Sequence, residues 1–211
     1  MMTRCIYLVD DDEGFSASVA MVVKTRLDVE VVSFASGEAF IAKLAMLPSG
    51  CLLLDLALPG MNGLDVLREV RLLDGRFETI VLTGFGDISR AVEAMKAGAS
   101  DFLEKPSSAE TLTTAIETAF ARIEDRERME RVARASREQI EKLTPRERDV
   151  LMGLVEGRAN KVIAYQLDIS PRTVEIYRAH LMEKLGVRSV AEAVRMAFAS
   201  GLVPLMPEEK S

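Results

Sequence analysis

Histidine is nearly absent from this chain: His180 is the only one in 211 residues. Cysteine occurs twice, at Cys5 and Cys51. A Cys/His zinc cluster is thereby excluded. Both cysteines lie in apolar runs, so they read as buried thiols in a reducing compartment rather than as a disulfide. No apolar stretch approaches the roughly 20 residues of a membrane span, so no membrane partner is expected. The N-terminus lacks a charged n-region followed by an apolar h-region, so no signal peptide is expected and the location reads as cytoplasmic. No internal repeat is visible. Positive charge is outnumbered, 27 Lys and Arg against 33 Asp and Glu. The net charge is −6, and it is unevenly spread. Residues 1–124 carry −8, whereas 125–142 and 143–211 carry +1 each. The first half should repel nucleic acid, and the last third is compatible with it.

What is present divides in two. Apolar residues make up 48% of the chain, enough for a core in each half. In the first half, short apolar runs at 4–9, 29–34, 51–54, 79–82 and 100–103 alternate with helical spacing at about 14–26, 37–46, 63–73, 88–97 and 108–124. Five strands alternating with five helices predict a parallel sheet covered on both faces. Leu52-Leu53-Leu54 and Ile80-Val81-Leu82 are continuously apolar, as strands buried on both sides are.

Ligands in such open sheets bind beyond the carboxyl ends of the strands. Asp10 and Asp11 end the first strand, Asp55 the third and Thr83 the fourth, and Lys105 follows the fifth. Alone, "DDDE" at 10–13 reads as a solvated turn, and Lys105-Pro106 is uninformative. Together on one edge they form a hard-oxygen site. It suits Mg2+, whose charge would offset the crowded carboxylates. Asp55 is then a candidate nucleophile, as in aspartyl-phosphate intermediates. Lys105 and Thr83 would hold phosphoryl oxygens, because phosphoryl transfer needs positioning and charge neutralisation.

The strings "YLVDDDEGF", "LLLDLALPGMNGLDVL" and "IVLTGFGDISRAVEAMKAGASDFLEKP" resemble the receiver domains of two-component response regulators. The resemblance covers residues 4–122 and implies a flavodoxin-like (βα)5 fold. It implies that Asp55 accepts a phosphoryl group from a sensor histidine kinase. It further implies Mg2+ bound by Asp11, Asp55 and the Ala57 carbonyl, with Asp10 acting through water. Thr83 and Phe102 match the switch pair, in which the hydroxyl moves toward phosphate and the ring turns inward. Phe102 read alone could equally be core. Leu58, Gly84, Phe85 and Ser107 depart from the commonest pattern without removing a reacting group. Gly84 and Phe85, near the pocket mouth, could alter switch geometry or dephosphorylation.

Residues 122–142, "RIEDRERMERVARASREQIEK", read as an exposed charged helix that links the halves. "LTPRERDVL" then starts a new unit, with Thr144 as N-cap, Pro145 at N1 and Glu147 at N3. Helices are expected near 145–156, 160–167, 171–185 and 189–199. Gly157 and Gly186 read as stops, and Asn160, Ser170 and Ser189 as N-caps. The tail from Pro204 should fray. Two helices around "DIS" fit a helix-turn-helix whose second helix enters the major groove. Lys161, Arg172, Thr173, Arg178 and Lys184 could meet phosphates. Val174, Leu181 and Leu185 should face the core. That leaves Glu175, Ile176 and Ala179 for base edges. His180 reads as surface. A small four-helix protein-binding domain fits the charge equally well.

"LTPRERDVL" and "GRANKVIAYQLDISPRTVEIYRAHLMEKLGVRSVAEAVRMA" resemble the LuxR-type helix-turn-helix of NarL/FixJ response regulators, over residues 143–198. The receiver half leans toward the FixJ branch. The expected domains are a receiver at 1–121, a helical linker at 122–142 and a DNA-binding unit at 143–206. The resemblance implies a phosphorylation-activated regulator that binds double-stranded DNA as a homodimer on an inverted repeat, with the last helix contributing to dimerisation. A receiver face that includes Val92 and Lys96 would pair the copies. No free-standing enzymatic activity on small molecules is expected. Two alternatives stay open: DNA binding without phosphorylation, or a signalling adaptor or phosphate sink.

Overall fold

The computed structural model describes residues 4–73, 75–84 and 88–203. It divides into two compact units, 1–126 and 127–211. The first alternates strands and helices: β1 (Arg4–Val9), α1 (Glu13–Arg26), β2 (Val29–Phe34), α2 (Gly37–Leu44), β3 (Gly50–Asp55), α3 (Gly63–Arg71), β4 (Phe77–Thr83), α4 (Ile88–Ala97), β5 (Asp101–Glu104) and the start of α5 (Ala109–Glu141). The strands form one parallel sheet in the order β2-β1-β3-β4-β5. Every residue of β3 and β4 is buried, which is why their middles, Cys51–Leu54 and Ile80–Leu82, are apolar without alternation. Asp55 pairs in register with Leu82, and Thr83 with Glu104. The strand ends that carry these polar groups therefore lie along one edge.

Side chains alternate between the two sheet faces. Tyr7, Phe40, Leu52, Leu54 and Phe77 pack on one face. Ile6, Leu8, Leu53, Ile80, Leu82, Ile116 and Phe120 pack on the other. Each fully buried large side chain contributes about 1.5–3 kcal/mol relative to exposure. Cys5 and Cys51 fall in different clusters, and both are buried and outside any disulfide. Burial pushes the Cys51 thiol pKa up.

Polar turn chemistry sets the helix starts. Asp12, Ser36 and Asn62 are N-caps that accept from the amides of Phe15, Ala39 and Asp65. Opposite the functional edge, buried Glu78 accepts from Arg126 Nη2 at 2.7 Å and from the Ser100 hydroxyl, and Arg122 lies 3.8 Å away. The 108–124 helix and the charged 122–142 stretch are one helix, α5. In the first unit α5 buries Leu112, Ile116, Phe120 and Ile123. Met129 and Val132 are exposed. Ile140 then joins the core of the second unit.

The second unit adds α6 (Pro145–Val155), α7 (Asn160–Leu167), α8 (Pro171–Leu185) and α9 (Val190–Ala199). Val150, Leu151, Ile163, Val174, Leu181, Leu185, Ala193 and Ala197 form its core. The Thr144–Glu147 capping box is present. Ser170 and Ser189 are N-caps and Gly186 a left-handed C-cap, as the sequence suggested. Asn160 is not a cap. Ala159 holds that position without a side-chain bond, and the Asn160 Oδ1 accepts from Arg178 at 2.6 Å instead. Long-range pairing with α8 has displaced the local cap. Asp168 takes the left-handed conformation, φ 54°, in the tight turn between α7 and α8. A short polar side chain tolerates that region. Phe85 and the tail from Pro204 lie outside the described residues.

Glu147 links local and long-range structure. Its Oε2 accepts from the Thr144 amide at 2.8 Å and from Lys184 Nζ at 2.7 Å. Burial alone would raise its pKa, but the Lys184 ammonium and the Thr144 groups hold it below the ordinary 4.5. A carboxyl depressed on folding contributes stability above its unfolded pKa and loses it as pH falls through the folded value. Lys184→Met should therefore cost the C-terminal unit about 1–2 kcal/mol at pH 7, limited by the lysine's exposure to water. That cost should shrink below the ordinary glutamate range. Urea unfolding at pH 7 and pH 3 checks it. An equal cost at both values would rule out the ion pair as its source.

Candidate functional site

The edge beyond β1, β3 and β5 concentrates the ionisable groups. Asp10 and Asp55 are 2% and 7% exposed, and Asp11 is exposed beside them. One carboxylate oxygen from each of the three lies within 4.8 Å of the others. Lys105 bridges the buried pair, its Nζ donating to Asp10 Oδ2 at 2.5 Å and to Asp55 Oδ2 at 2.7 Å. Burial would lower the lysine pKa, but the two carboxylates outweigh it, and the pKa is raised above 10.5. The free oxygens are held by backbone. Asp10 Oδ1 accepts from the Asp12 amide and Asp55 Oδ1 from the Ala57 amide, both at 3.0 Å. Thr83 is buried at the end of β4, and its carbonyl accepts from the Lys105 amide at 2.7 Å. Gly84, next along, is exposed. The four aspartate-rich residues at 10–13 thus have separate tasks: Asp10 and Asp11 line the site, Asp12 caps α1 and Glu13 opens its first turn.

An all-oxygen set of three carboxylates fits Mg2+. Three close carboxylates with one ammonium among them keep a net negative charge that a divalent cation would offset.

In the second unit, α7 and α8 form the expected pair around a three-residue turn. Val174, Leu181 and Leu185 are buried, while Arg172, Glu175, Ile176, Ala179 and His180 are exposed. Ile176, 49% exposed, places an apolar side chain on the outer face of α8.

The chain matches two family models in this order. "Response regulator receiver domain" covers residues 6–117, and "Bacterial regulatory proteins, luxR family" covers 141–197. This chain belongs to the response regulators with a LuxR-type DNA-binding domain. As such it is a DNA-binding transcriptional regulator of the phosphorylation-activated class. It is 42% identical over 204 residues to the transcriptional regulatory protein FixJ of Rhizobium meliloti, spanning 97% of this chain and 100% of that one. It is 39% identical over 198 residues to FixJ of Bradyrhizobium diazoefficiens, spanning 94% and 96%. Among solved structures, full-length FixJ from B. japonicum is 38% identical with a TM-score of 0.60, covering 97% of this chain and 100% of that chain. The response regulator StyR is 32% identical with a TM-score of 0.78, covering 93% and 98%. No helix among the described residues is long and apolar enough to cross a membrane.

Within this response regulator, several candidates stand apart from the acidic site. Phe102 is not core. It is 48% exposed on β5, and Val92 and Met95 on α4 are exposed as well, at 47% and 42%. Lys96 is exposed on the same helix. Lys161 and Arg172 point to solvent, whereas Arg178 and Lys184 are bonded to Asn160 and Glu147. The Thr173 hydroxyl lies 2.8 Å from that of Ser170, within the cap of α8. Phe15 carries a role that sequence reading missed: its ring centroid lies 4.4 Å from the Lys105 ammonium. This cation–π contact braces the lysine from the α1 side. The available signal was Phe15's place three residues after the Asp12 cap, in the turn that faces the sheet edge.

Proposed function

We propose that Asp55 is the phosphoacceptor of this regulator and that a sensor histidine kinase is the donor. The observation that carries this is Lys105 Nζ lying 2.5 and 2.7 Å from buried Asp10 and Asp55, with Asp11 in the same cluster. Asp10, Asp11, Asp55 and the Ala57 carbonyl would hold Mg2+. When bound, Mg2+ supplies charge that neutralises phosphoryl oxygens and aligns them for transfer. An Asp55 carboxylate oxygen attacks phosphorus, forming an acyl phosphate as the bond to the donor nitrogen breaks. The pair of electrons in that bond leaves with the donor imidazole. Lys105 then turns from the lost carboxylate charge toward a phosphoryl oxygen. The Ala57 amide keeps the carboxyl oriented.

Phosphorylation draws the Thr83 hydroxyl toward the phosphoryl group, and Phe102 follows from its exposed position to an inward one. Gly84 leaves the backbone beside Thr83 free of a side chain. This shifts an equilibrium between two receiver conformations. The face with Val92 and Lys96 pairs two copies, and the homodimer binds double-stranded DNA in the cytoplasm. Lys161, Arg172 and Arg178 meet phosphates, and Thr173 holds the start of α8 against the groove. Lys184 was a phosphate candidate, but its bond to Glu147 favours an internal role. Glu175, Ile176 and Ala179 face base edges. Glu can accept from cytosine N4, and Ile can touch a thymine methyl. The domain limits that fit this reading are 1–121, 122–142 and 143–206.

The test is DNA affinity with and without a small phosphodonor and Mg2+, at fixed salt, beside the solution molecular weight. A rise in affinity together with dimer formation supports the reading. An unchanged affinity and oligomer, with phosphoryl uptake demonstrated, sinks it. On the DNA side, Arg172→Ala should weaken binding across all sequences and lower the salt dependence by about one phosphate contact. Glu175→Ala should instead relax specificity at one base pair, worth about 1–3 kcal/mol. A uniform loss from Glu175→Ala would remove it from base readout.

A further inference from the structure

The loop between β3 and α3 carries Ala57, and its far end is tied to α2. The Met61 amide donates to Glu38 Oε1 at 2.7 Å, across 23 residues of chain. Gly60, at φ 75°, lies against the same carboxylate, so a side chain there would be strained in the backbone and would have to push Glu38 Oε1 aside. Other hydrogen bonds of the loop are local. Ala57 N–H donates to Asp55 Oδ1, Gly63 N–H donates weakly to the Leu56 carbonyl, and Asn62 caps α3. Leu58 is buried in the core and Met61 packs against it, so apolar contacts also hold the loop; among the hydrogen bonds of the described residues, the one from Met61 to Glu38 ties it to α2. Bonds from the Glu38 amide and from Met61 hold the Glu38 carboxyl below the ordinary range, so it stays an acceptor at neutral pH.

We infer that Glu38 is a positioning residue for the phosphorylation site: by gripping Met61 it fixes the loop that presents the Ala57 carbonyl to Mg2+. This rests on the assignment of Asp10, Asp11, Asp55 and Ala57 as the Mg2+ site. A carbonyl on a wandering loop is a poor ligand, because each binding event must first order it. Partners one step removed from a metal commonly tune affinity by about 10–100-fold. Glu38 acts through five residues of loop and is exposed to water, so the low end applies.

The experiment is calorimetric titration of the full chain with Mg2+, without phosphodonor, for wild type, Glu38→Ala and Glu38→Gln. Glu38→Ala should weaken Mg2+ binding about tenfold. Glu38→Gln should stay close to wild type, because its amide oxygen still accepts from Met61. Uptake from a small phosphodonor should show the matching split: a higher half-saturating Mg2+ for Glu38→Ala, with an unchanged rate at saturation. Wild-type Mg2+ affinity in Glu38→Ala overturns the inference. So does a lowered plateau rate with unmoved half-saturation, or a glutamine variant as weak as alanine. A wild-type chain that binds no Mg2+ rejects the metal site itself, and the inference with it, which is a distinguishable result.

Discussion

Asp55→Asn should take up no phosphoryl group from any donor, and its DNA affinity should stay at the unphosphorylated level. The substitution nearly preserves shape. The asparagine oxygen can still accept from one of the two donors that now hold the carboxylate, Lys105 or the Ala57 amide. It removes the nucleophile and one of three crowded negative charges, so the receiver should fold at least as stably. The wild-type response is bounded by two-state arithmetic. Moving a population from 1:99 to 99:1 needs about 5.5 kcal/mol, or about 10⁴-fold, of differential interaction. Pairing two half-site binders gains about 10²–10⁴ in apparent affinity. A unit with a net charge of only +1 gains most from such pairing, because its own phosphate attraction is weak. Intact mass shows whether uptake has occurred, and fluorescence anisotropy on duplex DNA at one salt concentration shows its effect. A donor-dependent rise in affinity that survives Asp55→Asn would place the switch elsewhere.

Lys105→Met should have the largest effect on stability, about 3–5 kcal/mol in metal-free buffer at pH 7. That is the cost of leaving buried charge without its partner. Asp10 and Asp55 would then face each other with backbone donors alone. The direction with pH follows from the raised lysine pKa. A base whose pKa rises on folding contributes fully below its unfolded value and loses that contribution as pH climbs through the folded one. The effect is therefore whole at neutral pH and fades only in strongly alkaline solution. Mg2+ should restore part of the loss, growing with concentration as a ligand of the folded state does. Asp55→Asn combined with Lys105→Met should be more stable than Lys105→Met alone. Hydrogen exchange of the β1 and β3 amides reads the receiver separately from the C-terminal unit. Protection equal to wild type in Lys105→Met without Mg2+ would show that the carboxylates need no ammonium.

The alternation of five strands and five helices was legible because burial on both faces leaves the middles of β3 and β4, Cys51–Leu54 and Ile80–Leu82, continuously apolar. The candidate site was legible because Asp10, Asp55 and Thr83 end strands, and parallel strands end together. The helix starts at Thr144, Ser170 and Ser189 were legible because a cap is a bond between residues three apart. Asn160 shows the limit: it had the right type for a cap, yet a guanidinium 18 residues away took its oxygen. Phe102 read alone was equally suited to core and to a switch role, since its position on the short strand β5 does not reveal what covers it; it is 48% exposed.

By itself the sequence determined where strands and helices run, which face of α8 is apolar, and which carboxylates share an edge. Those follow from periodicity, from caps and from chain direction, all of them local. Only the tertiary structure decided that Lys105 spans Asp10 and Asp55, that Phe15 lies against its ammonium, that Lys184 serves Glu147 rather than open surface, and that Glu38 grips the loop behind Ala57. Each of these is a choice between a solvated side chain and a partner far away in sequence. Burial and geometry make that choice, because a charge gives up water only where the fold has already placed a partner within hydrogen-bond reach.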